Sequence, residues 1–448
     1  MKAKTLDILP EERLENSIPD QKPVFSEMQA LAEAHRCFYC YDAPCTAACP
    51  TRINVPEFIR KISTGNYKGS ARTILSSNIF GLSCAKVCPV EVLCAGACVY
   101  HGTHQEPIQI GRLQAFSVQW AYDRDVQFFG KGAPTGKKVA LIGGGPASLS
   151  CAFELAKLGH EPVVFEKGRF PGGLNTIGVA PYKLHSHVSL REIERVLKIG
   201  IEIRPGVVGE DVSLDELEKS FDALFLGVGL GDDSRLGIPG EDLSGCWGAL
   251  ALIEKIKIGK EFSPSSLAHA VILGGGNTAI DAARELAKLG VPRVTLAYRR
   301  SEAQMTGYAH EVAWARREGV FFSFLVSPVA ILGKDRATGV RFVRMKLGEP
   351  DGTGRPKAVP SPGTEFEMDA DAVVFGTGQE KRTAFLEKIP GLKLKGGLVD
   401  VDDEGRTSKS NYFAGGDCIS GGKEVVNAVA EGKRAASSID LYLNGGRN

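Results

Sequence analysis

The sequence predicts an α/β chain with two Rossmann-like dinucleotide-binding domains, preceded by a small α-helical domain rich in cysteine. Three observations carry this. A strand, a glycine turn, a helix and a second strand follow one another over residues 138–166. A near-copy of that unit covers residues 269–300. Eight of the eleven cysteines fall between Cys37 and Cys98. At 448 residues the chain has room for two to four domains of ~100–200 residues each. The expected division is 1–125 for the helical domain, 135–235 with 370–448 for the first dinucleotide domain, and 236–369 for the second.

The totals exclude several classes. A formal net charge of +1 argues against a nucleic-acid or anionic-membrane partner. No apolar run approaches the ~18 residues of a membrane span. The opening MKAKTLDILPEERLENS lacks the apolar core of a signal peptide. The expected location is therefore cytoplasmic, where clustered cysteines point to metal or redox chemistry rather than disulfides.

The helical domain is expected from helix-forming runs at 26–35, 56–75 (broken near Gly65) and 110–122, ended by a Gly-rich linker at 130–138. Its cysteines read Cys37-x2-Cys40-x4-Cys45-x3-Cys49-Pro50, then Cys84-x3-Cys88-Pro89 and Cys94-x3-Cys98. Three readings compete on spacing alone: two iron–sulfur clusters, two structural zinc sites, or unliganded core thiols. Cys151, Cys246 and Cys418 stand apart and read as small buried residues.

In the first dinucleotide unit, Val139–Ile142 is strand-like. Gly143, Gly145 and Ser148 then hold the G-x-G-x-x-G spacing, with Pro146 and Ala147 opening the helix. The first glycine permits the tight turn, the second lets backbone approach a pyrophosphate, and the helix N-terminus offers N–H groups to it. Val163–Phe165 leads to Glu166, 23 residues after Gly143, where a carboxylate suits a ribose hydroxyl.

The second unit begins 131 residues later. Gly274 and Gly276 align with Gly143 and Gly145, Ala279 aligns with Ser148, and Asn277 and Thr278 open the helix. The string ELAKLG occurs in both units. By the same count Ala297 falls opposite Glu166, followed by Tyr298, Arg299 and Arg300. No acid is present for a free 2′-hydroxyl, and two arginines suit a 2′-phosphate, so NADP(H) is favoured over NAD(H). Phe221–Leu230 and Asp371–Gln379 (with Gly378) each read as a strand running into a glycine turn. The chain is expected to leave the first fold near 235 and re-enter it near 370. The final signal is Tyr412–Ala414, Gly415-Gly416-Asp417 and a helix over 425–439. There Asp417 suits a ribityl hydroxyl, and the helix N-terminus the pyrimidine end of a flavin.

These stretches resemble the flavin/iron–sulfur half of dihydropyrimidine dehydrogenase and the small subunit of glutamate synthase. The carriers are CFYCYDAPCTAACPTRI, GLSCAKVCPVEVLCAGAC, PIQIGRLQ, GGGPAS, GGLNTIGVAPYKL, GGGNTAID and FAGGD, spread from about Cys37 to Tyr442. The resemblance implies a glutathione-reductase-type flavoprotein holding FAD, with Gly173 and Leu174 at its site, and two [4Fe-4S] clusters. It assigns Cys37, Cys40, Cys45 and Cys98 to one cluster and Cys49, Cys88, Cys94 and Gln114 to the other, leaving Cys84 over. Gln114 and the DAPC string lean toward the pyrimidine enzyme. The implied activity is transfer of hydride from NAD(P)H to FAD and of electrons onward to an FMN-bearing large subunit with a dihydroorotate-dehydrogenase-like barrel. The alternative is the glutamate synthase small subunit or a relative feeding another acceptor. No acid–base dyad is expected. Lys183 is either near the flavin ring or a surface lysine. Ser148 departs from the third fingerprint glycine, and these residues leave no room for the ~250-residue barrel of a pyrimidine site.

Overall fold

The computed structural model describes residues 9–259, 262–352 and 354–445. The cysteine-rich region is helical: Glu27–His35, Val55–Ser63, Tyr67–Ser77, Gly81–Val87 and Ile110–Asp123 pack around one apolar core. Each start has a chemical cause where a side chain supplies one. Ser26 and Gln29 form a capping box, and Asn54 and Asn66 accept from the third helical N–H. Cys37, Cys45, Cys49, Cys94 and Cys98 all pack against this core.

Two five-stranded parallel sheets follow. The first runs Tyr412–Ala414, Ala223–Leu226, Lys138–Ile142, Glu161–Glu166, Glu202–Pro205. The second runs Cys246–Gly248, Ala372–Phe375, His269–Leu273, Arg293–Tyr298, Phe321–Phe324. Ala223–Leu226 and His269–Leu273 are buried throughout, as continuous apolar runs such as Ala-Val-Ile-Leu demand when helices cover both faces.

The sheet order corrects one boundary. Ala372–Phe375 pairs with His269–Leu273 in the second sheet, so the chain returns to the first fold after Phe375 rather than at 370. DAVVFGTG is the second unit's equivalent of DALFLGVG, whose strand Ala223–Leu226 pairs with Lys138–Ile142. An antiparallel sheet of Val326–Gly333, Ala337–Pro350, Pro356–Pro360 and Phe366–Asp369 is added to the second domain; the sequence reading did not foresee it. Residues 14–21 lie across the dinucleotide domains: Glu15 accepts from Ser186 N at 2.9 Å, Ile18 joins the second domain's core, and Gln21 accepts from Arg284.

The helix Val425–Leu443 lies on the helix Pro146–Lys157, with Ser150 Oγ donating to Val429 O at 2.9 Å. A Cβ on Gly432 would fall 2.0 Å from Ala147 O, so only glycine permits this approach. Among the described residues no helix is long and apolar enough to cross a membrane.

Candidate active site: one cleft between three domains

A cleft of about 1410 Å³ runs between the two dinucleotide domains. Its walls include Gly143–Ala147, Glu166, Gly173, Leu174 and Gly416–Asp417 from the first, and Asn277 and Thr278 from the second. Val87, Pro89 and Leu93 of the helical domain reach the same cleft. One space thus touches all three domains.

The first unit is shaped for a dinucleotide. Gly143 has φ +94, and a Cβ there would sit 2.5 Å from Gly227 O. A Cβ on Gly145 would meet nothing, because it faces the open cleft. Glu166 accepts from Gly144 N at 2.6 Å and from Gly168 N, which holds its carboxylate at the cleft wall with lone pairs left for hydroxyl donors. Ser148 is fully buried and its Oγ has no partner. A Cβ on Gly227 would lie 2.1 Å from that Oγ. The third fingerprint position must be small because Gly227 packs on it, and serine meets that requirement. Gly416 has φ +82 and its N–H donates to Glu431 at 2.8 Å. Asp417 accepts from Lys423 N at 3.1 Å, and burial pushes its carboxyl up. These glycine-lined walls, the anchored Glu166 and the free helix start fit FAD.

The second unit repeats the design with a slip of one residue. Gly143 N donates to Phe165 O, whereas Gly274 N donates to Ala297 O. The residue opposite Glu166 is therefore Tyr298, not Ala297. The link between helix and strand is one residue longer in the second copy, which counting from the glycines hides. The Tyr298 ring lies under Gly275, where a Cβ would come within 2.6 Å of it, as Glu166 lies under Gly144. Its hydroxyl donates to Gln304 O at 2.8 Å.

The two arginines separate. Arg299 is exposed. Arg300 is buried, donates to Pro356 O at 2.8 Å, and pairs with Asp351 at 2.7 Å. Arg300 thus anchors the added antiparallel sheet and is not free for a phosphate. Gly274 (φ +143) and Gly276 hold the turn, and Gly378 (φ +116) lies in the following one, where its carbonyl accepts from Ser234 N.

Lys183 is not a surface residue. It pairs with Asp281 at 2.8 Å and Glu311 at 3.0 Å across the domain boundary, and lines the cleft. Burial opposes its charge, but the two carboxylates outweigh it and raise its pKa. Tyr308 OH donates to Glu424 at 2.7 Å across the same boundary. Sequence reading missed Asp281, Glu311, Tyr308 and Glu424, since no local motif marks partners so far apart in the chain. Gly227 and Gly376 were legible as the repeated strand-end glycines.

The cysteines lie close to one another in the helical domain, and Cys94 is within electrostatic reach of both Cys49 and Cys45. Cys37 lies within electrostatic reach of Cys40 and Cys98, and Cys45 of Cys37 and Cys98. Cys94 is near Cys49, and Cys88 near Cys94. Cys84 lies in hydrogen-bonding contact with Cys88. Burial pushes the thiols of Cys45 and Cys94 up to about 11 and about 12. Among the described residues no three Cys, His, Asp or Glu side chains converge on one point. Gln114 is buried, and its Nε2 donates to Gly81 O at 2.7 Å, which leaves Oε1 as its donor atom.

Known proteins agree with this geometry. Residues 137–432 match the family model "Pyridine nucleotide-disulphide oxidoreductase". The chain belongs to that family. Residues 14–126 match the model for dihydropyrimidine dehydrogenase domain II, 4Fe-4S cluster. The glutamate synthase [NADPH] small chain of Halomonas elongata is 37% identical over 440 residues, covering 94% of this chain and 92% of its own. The NAD-dependent dihydropyrimidine dehydrogenase subunit PreT of Escherichia coli is 33% identical over 434 residues, covering 96% and 98%. Among solved structures, Mycobacterium tuberculosis FprA in complex with NADPH superposes with TM-score 0.57 at 23% identity, over 69% of this chain and 85% of that one. As a member of this family the chain is an NAD(P)H-dependent flavin oxidoreductase with an iron–sulfur domain.

Proposed function

We propose that this chain is the electron-input subunit of a dihydropyrimidine dehydrogenase. It binds NADP(H) in preference to NAD(H), holds FAD and two [4Fe-4S] clusters, and serves an FMN-bearing, barrel-type large subunit in the cytoplasm that reduces uracil or thymine. The observation that carries the reading is Gln114, a neutral buried amide whose Nε2 is already committed to Gly81 O, at the position where the resemblance puts a cluster ligand.

The roles of the residues follow from their places. Gly143, Gly145 and Gly416 leave room for FAD, and Glu166 accepts from its ribose. Gly276, Asn277 and Thr278 face the nicotinamide nucleotide, with Arg299 available to a 2′-phosphate. Lys183, Asp281 and Glu311 tie the two domains together, so that both nucleotides would share one cleft. The bound flavin supplies conversion of a two-electron donor into one-electron steps. Cys37, Cys40, Cys45 and Cys98 hold one cluster, and Cys49, Cys88, Cys94 and Gln114 the other, for which about eight irons per chain are expected.

The glutamate synthase small chain is the second reading, favoured by the 37% identity over nearly the whole chain. Reconstitution separates them. With an FMN-bearing large subunit the chain should drive NADPH-dependent reduction of uracil; alone it should reduce only dyes. If instead a glutamate synthase large subunit turns over glutamine and 2-oxoglutarate with this chain, and the pyrimidine subunit does not respond, the second reading holds.

A further inference from the structure

We propose that Glu192 is a positioning residue for electron transfer between the flavin cleft and the Cys49, Cys88 and Cys94 group. It reaches out of the flavin-binding domain and fixes the start of the helix that carries Cys88. This rests on the cluster reading above.

The helix Gly81–Val87 has no local side-chain cap. Its first free donors are instead taken from 110 residues away. Leu82 N donates to Glu192 Oε1 at 2.7 Å, and Ser83 N to Oε2 at 2.9 Å. Ser83 Oγ also donates to Oε2, and Tyr122 OH to Oε1 at 3.1 Å. Four donors thus converge on a carboxylate that is 0% exposed.

The same short helix is gripped from two further sides. Gln114 Nε2 holds Gly81 O at 2.7 Å, and Asn175 Nδ2 donates to Ser83 Oγ at 3.0 Å. Asn175 follows Gly173 and Leu174 on the cleft wall. At its far end Val87 and Pro89 line the cleft, and Cys88 N closes the last turn on Cys84 O. Whatever fixes this helix fixes the distance from the cleft to Cys88.

Arg195 also crosses here, donating to Tyr122 O. The charge pairs near Glu192 end on exposed carboxylates, Arg191 to Asp123 at 3.0 Å, Arg195 to Asp125 at 3.1 Å and Lys198 to Asp125 at 2.7 Å. Such pairs contribute little. A buried carboxylate is a costly form of glue, and its charge gives it a second effect. A fixed negative charge beside a redox centre opposes the arrival of an electron and lowers the potential. Burial raises the Glu192 carboxyl to about 6 against the pull of its donors, so the charge is present at neutral pH. The titratable neighbours are Tyr122, held protonated by burial, and beyond it Arg191 and Arg195, whose guanidinium lies 4.7 Å over the Tyr122 ring.

The test compares the fully loaded protein with Glu192→Gln. In the variant an amide NH2 must face one of the backbone donors. Hydrogen exchange at Leu82 and Ser83 should accelerate at least tenfold. In stopped flow, flavin reduction by NADPH should stay within about twofold while cluster reduction slows tenfold or more. The cluster midpoint potential of the wild type should rise as pH falls through about 6, and the variant should show no such break. Unchanged amide protection, or the same pH dependence in both proteins, overturns the proposal. If the variant does not fold, a wild-type potential that is flat between about pH 5 and 7 overturns it alone. Failure of the cluster reading is distinguishable, because Cys88→Ser would then leave the iron content unchanged.

Discussion

Glu166 and Tyr298 stand at the same place in two copies of one backbone. In the first copy a carboxylate is pinned by Gly144 N at 2.6 Å and lines the cleft. In the second a phenol ring fills the space under Gly275 and turns its hydroxyl to Gln304 O. Strand order, glycine turn and the close approach of Gly227 or Gly376 to the helix are shared. One extra residue before the second strand changes which side chain arrives under the glycine turn, without disturbing the sheet. The scaffold repeats one turn, and the strand end decides which side chain lies beneath it.

The glycines give the largest expected effects. Gly274→Ala forces φ +143 on an L-residue and puts a Cβ 2.2 Å from Gly376 O, so a loss of about 3 kcal/mol or more is expected by denaturant titration. Gly145→Ala meets no atom within 4 Å. It should cost under about 1 kcal/mol, yet its methyl projects into the cleft and should lower bound FAD tenfold or more. A Gly145→Ala protein with full FAD content would break the assignment of the first unit.

Arg300 and Arg299 should behave as opposites. Arg300→Ala removes a buried partner of Asp351 and should cost about 2–4 kcal/mol, with the NADPH-to-NADH preference held within about twofold. Arg299→Ala should leave stability within ~0.5 kcal/mol and lower that preference about tenfold, measured as the ratio of kcat/KM values. Tyr298→Glu sharpens the comparison directly. It recreates the first unit's acid in the second, and should shift preference toward NADH by about tenfold through repulsion of a 2′-phosphate. If preference does not move, Tyr298 does not face the nucleotide sugar.

The smallest effect comes from the shared ELAKLG. Glu154 of the first copy pairs with Lys157 at 2.7 Å. Glu285 of the second is fully buried, and neither carboxyl oxygen has a partner. Burial, reinforced by Asp281, raises its pKa well above the ordinary value. Its contribution to stability is full below the unfolded carboxyl pKa of ~4.3 and is lost as pH climbs through the raised folded value. Glu285→Gln should therefore lie within about 1 kcal/mol of wild type at pH ~4 and become the more stable of the two as pH rises. It should also flatten the pH dependence of the melting temperature above pH ~4.3. A variant that keeps the wild-type slope would show that Glu285 is not its source.

What the sequence made legible was whatever depends on local spacing. The two glycine turns and the strand end at Glu166 stand where the motifs put them. The one-residue slip at Tyr298 was hidden because register is a property of two paired strands, and only hydrogen bonding between them fixes it. The boundary at 370 was misplaced because DAVVFGTG looks the same whichever sheet receives it. The antiparallel sheet went unread because Ala337–Pro350 alternates buried and exposed residues irregularly. The partners of Glu192 and Lys183 were out of reach for another reason: they lie far along the chain, and a charged residue reads as solvated until something covers it.

The interleaving of the two sheets has a consequence for biosynthesis. Every strand of the second sheet lies between Cys246 and Phe375, so that domain is complete once its own segment has left the ribosome. The first sheet waits for Tyr412–Ala414, and its helix Pro146–Lys157 waits for Val425–Leu443. At ~5–20 residues per second the wait lasts on the order of 10–40 s. Throughout it, one edge of Ala223–Leu226 and the apolar side of that helix stay open to other chains. The inserted domain folds first, the flavin domain closes last, and the nascent chain is most prone to aggregate in between.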